Sequence, residues 1–169
     1  MRNLAGKFEL VANVAIIVVA VLLGVVLVRT YLIKPAPAPA ATTARVAAGT
    51  KLSLPGVDWG QSGETLVLAL SDTCHFCSES AGFYQRLARE KPKHAGLRMI
   101  AVLPQEESRG RAYLSKLGVA VDDVRQLPLD AAGVSGTPTL LLVDSAGVVK
   151  ASWVGRLPSE KEEEVVGSL

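Results

Sequence analysis

Two cysteines lie three positions apart, after an aliphatic run and a three-residue polar turn, at the start of a segment with helical periodicity. The aliphatic run, residues 66–70, predicts a buried strand. After it, a stripe of residues recurs at steps of four, three and four: Phe76, Ser80, Phe83 and Leu87. This spacing predicts a helix with one face toward the core. Cys74 and Cys77 are therefore expected where a central strand passes into a helix.

That position favours thiol chemistry at Cys74. The first turn of a helix has unpaired backbone N–H groups and the positive end of the helix dipole, which stabilise a thiolate. Cys77 lies on the same side of the helix, within reach of the Cys74 sulfur. A disulfide at this spacing closes a very small loop and adds little stability. The pattern favours exchange, in which Cys74 attacks a disulfide and Cys77 resolves the mixed disulfide.

Structural and metal-binding alternatives fit the pair less well. A four-cysteine zinc site would need two more cysteines, and the chain has none. His94 is a candidate third ligand, but it lies in a polar segment that is expected to face solvent. A c-type haem requires histidine directly after the second cysteine, where this chain has Ser78. No cofactor and no metal is predicted.

A second apolar segment lies near the start of the chain. Residues 10–28 contain no charged side chain, and at about 1.5 Å per residue they would form a helix long enough for a bilayer core. This run accounts for much of the 49% hydrophobic content and the mean hydropathy of +0.32. It exceeds the usual apolar core of a cleaved signal peptide, roughly 7–15 residues, and the following prolines suit a cleavage site poorly. An uncleaved transmembrane helix over residues 10–30 is therefore predicted.

The remaining boundaries follow from composition. Residues 1–9 form a tail, and the proline- and alanine-rich residues 31–50 form a semi-rigid linker. The folded domain is expected over residues 51–169. Because positive charges on the two sides of the apolar run nearly balance, they do not fix its orientation. A lone N-terminal anchor usually acts as an export signal, so we expect a single-pass protein of the bacterial cytoplasmic membrane with its domain on the periplasmic side.

Charge excludes one class of partner. Residues 51–169 carry thirteen basic and fifteen acidic side chains, a net charge of −2. A nucleic-acid-binding domain of this size would show a basic face. No nucleic-acid partner is predicted.

The order of elements in residues 51–169 defines the fold class. Aliphatic runs, helical segments and turn residues alternate as β-α-β-α-β, followed by a short turn, a β-hairpin and a last helix. Such an order predicts an α/β domain with a mixed sheet and helices on both faces.

The whole pattern resembles the thioredoxin fold family. The resemblance rests on four features in order: the strand-Cys-His-Phe-Cys-helix unit, Gly136-Thr137-Pro138 before a strand, the hairpin at residues 144–147, and Val154-Gly155-Arg156 before the last helix. With the predicted anchor, the chain is most similar to membrane-tethered bacterial thiol-disulfide oxidoreductases of the TlpA and ResA type. This implies a three-layer α/β/α fold, preceded here by one transmembrane helix.

The resemblance also implies roles for individual residues. Pro138 is expected to follow a cis peptide bond and face the cysteines, and the Thr137 backbone is expected to pair with a substrate chain. Phe76 is a candidate substrate contact, although its place in the helical stripe predicts that it faces the core. His75 would favour the reduced form if its imidazolium lay beside a thiolate, or it is exposed and only weakly coupled.

The chain departs from the family at two positions. Thr73 replaces the tryptophan that thioredoxins carry before the first cysteine, and Leu68 replaces a buried acid. The usual proton acceptor for Cys77 is therefore missing or relocated.

These observations predict a protein-disulfide oxidoreductase, with reduction the favoured direction. Its partners would be thiols or disulfides of extracytoplasmic proteins, and a separate electron donor would reduce its cysteine pair again. The alternative is a non-catalytic thioredoxin-like module that binds a metal such as copper, or a partner protein, through the two cysteines. A third hypothesis, a peroxidase of related fold, has only faint support from the residues before Cys74.

Overall fold

The computed structural model describes residues 16–24 and 45–169, which belong to two separate compact units. Residues 16–24 are helical, and their large apolar side chains are exposed. The rest of the predicted anchor, together with the tail and residues 31–44 of the linker, lies outside the described residues. In the parts of the chain that the structure describes, no helix combines the length and the apolar character that crossing a membrane requires.

A five-stranded mixed sheet forms the centre of the second unit. Its strands are β1 (Glu64–Ala69), β2 (Leu97–Leu103), β3 (Asp123–Gln126), β4 (Thr139–Asp144) and β5 (Val149–Val154). They lie in the order β3-β2-β1-β4-β5, so the strand that precedes the cysteines is central, as predicted. β1 pairs in parallel with β2 and antiparallel with β4. The aliphatic run forms β1 because both faces of a central strand are buried.

Within residues 45–169, four α-helices follow the predicted order. They are α1 (His75–Glu79), α2 (Ala81–Glu90), α3 (Glu107–Lys116) and α4 (Ser159–Gly167). Short 3-10 helices lie at Trp59–Gln61, Lys91–Lys93 and Leu129–Ala132. The predicted alternation of strands and helices, with a hairpin near the end, is thus confirmed.

The prediction of α-helices on both faces is wrong. Side chains from all four α-helices pack into one core cluster, on the face of the sheet that also holds Leu66 and Leu68. Right-handed connections explain the first three helices. The chain moves from β1 to β2 to β3 in one direction, so both crossovers place their helices on the same side.

An N-terminal strap and a 3-10 helix cover the opposite face. The strap, residues 45–54, buries Val46, Leu52 and Leu54 in a second core cluster with Val67 and other sheet residues. Gly49 N–H donates to Val149 O at 2.8 Å, and Val149 N–H donates to Thr50 O at 2.9 Å. The folded unit therefore includes residues 45–50, which were predicted to belong to the linker.

Candidate active site

Strand pairing brings the two predicted site segments together. β1 ends at Ala69, five positions before Cys74, and β4 begins at Thr139, directly after Thr137 and Pro138. Because the two strands are antiparallel, Ala69 lies opposite Thr139. The turn after β1 and the segment before β4 therefore meet at one edge of the sheet.

Cys74 caps the first turn of α1. Its sulfur accepts a hydrogen bond from the Cys77 backbone N–H at 3.2 Å, and its own N–H donates to Ser71 O at 3.1 Å. The thiol donates to Thr137 O at 3.4 Å. The residue is partly exposed and is a free thiol. An incoming group can therefore reach Cys74.

Cys77 lies in the core, with 0% of its surface exposed. Burial, followed by a hydrogen bond with Cys74, raises the pKa of its thiol to about 12. Hydrogen bonds from the Ser71 backbone and the Thr137 side chain oppose this rise in pKa but do not outweigh it. Because the charged form is disfavoured in an apolar environment, Cys77 keeps its proton at neutral pH.

The Thr137–Pro138 peptide bond is cis, as the resemblance implied. Pro138 O accepts from Gly155 N–H at 2.7 Å, and the Thr139 hydroxyl donates to Gly136 O at 2.7 Å. These bonds hold the segment before β4 in place. The Thr137 carbonyl thus lies against the Cys74 sulfur, as expected for a residue beside the reactive pair.

His75 and Phe76 both project outward. The His75 side chain is 79% exposed, and its Nε2 lies 3.1 Å from Glu79 Oε1. Glu79 in turn pairs with Arg156 at 3.0 Å. His75 therefore faces Glu79 and solvent. This agrees with the prediction that it is exposed, rather than with the one that places it beside a thiolate. Phe76 is 54% exposed, so the prediction that it faces the core is wrong.

A break in the helix accounts for the exposure of Phe76. The segment divides at Ser80 into α1 and α2, and the Ser80 hydroxyl donates to Phe76 O at 2.8 Å. The stripe of residues at steps of four and three assumes one continuous helix. With the break, Cys77 takes the inward position in α1, and Phe83 and Leu87 take it in α2.

Leu68 packs on the same side of the sheet as Cys77. Both are fully buried members of one core cluster, so β1 supplies no carboxylate at this position. Tyr84 belongs to the same cluster, and burial raises the pKa of its phenol above the ordinary value. Its hydroxyl therefore remains protonated and does not replace the missing base.

Sequence reasoning missed Gln105, which lies two positions after β2. Its Nε2 donates to Ser71 Oγ at 3.0 Å, in the turn before Cys74. The predicted strand order could have indicated it, because β1 and β2 are parallel and consecutive. The residues that follow such strands meet at one edge of the sheet.

His94 does not support the metal-binding alternative. It lies three positions before Leu97, the first residue of β2, whereas the cysteines follow the far end of the parallel strand β1. At about 3.3 Å per residue, the six residues of β1 separate the two ends by roughly 20 Å. The described residues contain no group of three or more His, Cys, Asp or Glu side chains that could hold a metal ion.

No protein-family model matches the chain, and no curated protein matches it.

Solved structures, in contrast, match most of the chain. A thiol-disulfide isomerase from Corynebacterium glutamicum has 14% identity and a TM-score of 0.53, covering 76% of this chain and 96% of its own. A thiol:disulfide interchange protein from Bacteroides sp. has 17% identity and a TM-score of 0.53, covering 74% and 88%. The thioredoxin domain of a thiol-disulfide oxidoreductase from Bacteroides vulgatus has 15% identity and a TM-score of 0.51, covering 73% and 97%. Together with the sheet order and the position of the cysteines, these matches show that the chain has a thioredoxin-like α/β fold.

Proposed function

We propose that the protein is a thiol-disulfide oxidoreductase that exchanges disulfides with partner proteins through Cys74 and Cys77. One observation carries the proposal: an accessible thiol at the start of α1 and a buried thiol one turn later, both beside Thr137. This arrangement provides one sulfur for attack and a second, protected sulfur for resolution. The structural neighbours, a thiol-disulfide oxidoreductase, a thiol:disulfide interchange protein and a thiol-disulfide isomerase, support the same activity.

In the proposed reaction, the Cys74 thiolate attacks a partner disulfide. A Cys74–partner bond forms, the partner disulfide breaks, and the partner's second sulfur leaves as a thiolate. The Cys77 thiolate then attacks the Cys74 sulfur, forms the Cys74–Cys77 disulfide and releases the remaining partner thiolate. The proton lost by Cys77 goes to solvent or to that leaving group. The partner gains two electrons, and the cysteine pair loses two.

We assign the surface around Cys74 to partner binding. The Thr137 backbone would pair with an extended partner segment next to the attacked sulfur, while the exposed Phe76 ring would contact an apolar side chain. Burial of an exposed aromatic ring gives affinity, and backbone pairing gives orientation. Partners would therefore be proteins rather than small disulfides.

A redox titration of the full-length chain tests both the activity and its direction. We expect Cys74 and Cys77 to interconvert reversibly between dithiol and disulfide in glutathione or dithiothreitol buffers, as measured by alkylation and mass spectrometry. A potential near that of thioredoxin, about −270 mV, would support reduction, whereas one near about −120 mV would support oxidation of partners. If Cys74 and Cys77 form no reversible disulfide at any poise, thiol-disulfide exchange is not the function.

We further propose that residues 10–30 anchor the protein in the cytoplasmic membrane, with the folded domain in the periplasm. The uncharged stretch at residues 10–28 and the exposed apolar side chains of residues 16–24 support this proposal. The full-length chain should stay in the membrane pellet after alkaline carbonate extraction, and a version starting at residue 45 should be released. An intact N-terminus by mass spectrometry is also expected. Recovery of a mature chain that begins within residues 31–50 would instead identify a cleaved signal peptide.

A further inference from the structure

Ser71 connects the turn before α1 to both cysteines. Its carbonyl accepts from Cys74 N–H at 3.1 Å, and its backbone hydrogen-bonds to the Cys77 thiol and lowers the pKa of that thiol. Ser71 itself is buried. The Cys74 sulfur has its own partners, Thr137 O and Cys77 N–H. A displacement of Ser71 would therefore change the surroundings of the Cys77 sulfur more than those of the Cys74 sulfur.

Gln105 holds Ser71 from a different element. Its Nε2 donates to Ser71 Oγ at 3.0 Å, and the same oxygen lies 3.0 Å from the Thr73 hydroxyl. Thr73 N–H also approaches Ser71 Oγ, at 3.4 Å. Gln105 thus ties the turn after β1 to the segment after β2, and Ser71 is the point of contact.

The other polar atom of the Gln105 side chain, Oε1, differs from Nε2 in having no hydrogen-bond partner among the described residues. It is buried, and no donor among residues 45–169 forms a hydrogen bond with it. The cost of burying an acceptor without a partner is at least as large as the net gain from a typical hydrogen bond, so the two offset each other. The amide therefore contributes little net stability, so its bond to Ser71 calls for another explanation.

Resting on the proposed exchange function, we propose that Gln105 is a positioning residue for the resolving step. Through its bond to Ser71, it keeps the turn where the Ser71 backbone donates to the Cys77 sulfur. Without that bond, the turn is free to shift, and the Cys77 thiolate loses the hydrogen bond from the Ser71 backbone that stabilises its charge. Gln105 does not contact the reacting atoms and takes no proton.

Reaction with 5,5′-dithiobis(2-nitrobenzoate) separates the two steps. In the first phase, the Cys74 thiolate attacks the aromatic disulfide, forms a mixed disulfide and releases one thionitrobenzoate. In the second phase, the Cys77 thiolate attacks the Cys74 sulfur and forms the intramolecular disulfide. The second thionitrobenzoate leaves with the bonding electrons, and the Cys77 proton passes to solvent. Absorbance reports each release in turn.

The reduced full-length chain should be compared with Gln105→Met and Ser71→Ala variants. Methionine keeps the length of glutamine but donates no hydrogen bond. We expect the second phase to slow by roughly fivefold to tenfold in each variant, the factor that corresponds to one hydrogen bond. The first phase should stay within about twofold, and the pH profile of the second phase should move to higher pH. The double variant should be no slower than Ser71→Ala, because both changes remove the same link.

Arg109→Met provides the matched control. Arg109 pairs with Asp72 in the same turn without touching Ser71, and its side chain is largely exposed. Its removal should leave both phases unchanged. Equal second-phase rates for wild type, Gln105→Met and Ser71→Ala would overturn the inference while leaving the exchange function intact. A wild-type chain that shows no second release would instead contradict the exchange function. If Gln105→Met does not fold, the second-phase rate of Ser71→Ala alone tests the inference.

Discussion

A Cys77→Ser variant should hold its partner as a stable mixed disulfide through Cys74. In the wild type, Cys77 attacks from within the same chain, and such intramolecular steps correspond to very high effective concentrations. Serine has no comparable nucleophile, so the adduct would persist until an external thiol reached it. We expect its lifetime to increase at least about a thousandfold. Non-reducing electrophoresis of the variant, after incubation with extracts of the periplasm and thiol trapping, would reveal the captured partners.

The structure indicates that this variant will fold. Serine is slightly smaller than cysteine, and the backbone N–H of residue 77 would still donate to the Cys74 sulfur. The buried hydroxyl costs about 1–3 kcal/mol if it finds no partner. Cys74→Ser is the matched control, since it leaves only the buried sulfur and should form no adduct. Ser78→Ala, on the same helix, should behave as wild type. Adducts of equal lifetime in wild type and Cys77→Ser would contradict the assigned order of attack.

The rate of resolution should rise about tenfold per pH unit, or about a thousandfold between pH 6 and pH 9, because only the thiolate attacks. Burial raises the pKa of the Cys77 thiol to about 12, well above the ordinary value of 9.0. In the mixed disulfide, Cys74 no longer carries a thiol, but burial, the largest cause of the shift, remains. The rate should therefore continue to rise beyond pH 9, where an ordinary thiol would begin to level off.

A pH-jump experiment measures this dependence directly. The glutathione adduct of Cys74 is prepared at acidic pH, moved to the test pH, quenched with acid and analysed by mass spectrometry. Loss of glutathione reports the attack by Cys77. The Cys77→Ser adduct serves as the control and should lose no glutathione through this route. A plateau below pH 9 would show that Cys77 ionises as an ordinary thiol, and that the surrounding residues do not suppress its thiolate as the structure indicates.

The arrangement of the cysteines could be predicted because it depends on local signals. An aliphatic run, a polar turn and a helical stripe place Cys74 at the start of a helix, and the structure confirms this. The cis Thr137–Pro138 bond followed from the resemblance rather than from the residues alone. The pairing of Ala69 with Thr139 brings these distant segments together. Such pairing depends on the sheet as a whole and is weakly encoded in any single stretch.

The orientation of Phe76 could not be predicted because it depends on one backbone torsion. Ser80 has ψ near 5°, which interrupts the helix between α1 and α2. Nothing in the spacing of the apolar residues distinguishes a broken helix from a continuous one. The contact between Gln105 and Ser71 was not predicted, for a related reason. Its bond to Ser71 joins residues 34 positions apart, and only the parallel pairing of β1 and β2 makes them neighbours.

The strap at residues 45–54 affects how copies of this protein meet. β5 is an edge strand, and an uncovered edge invites another chain to add a strand, which leads to aggregation. Here the backbone of Gly49 and Thr50 occupies hydrogen-bonding groups at the start of β5, and Ser152 Oγ donates to Val46 O farther along. The opposite edge, β3, has only four residues. In neighbouring molecules, the β5 edge is therefore partly occupied by the strap, and the β3 edge is too short for extensive strand pairing.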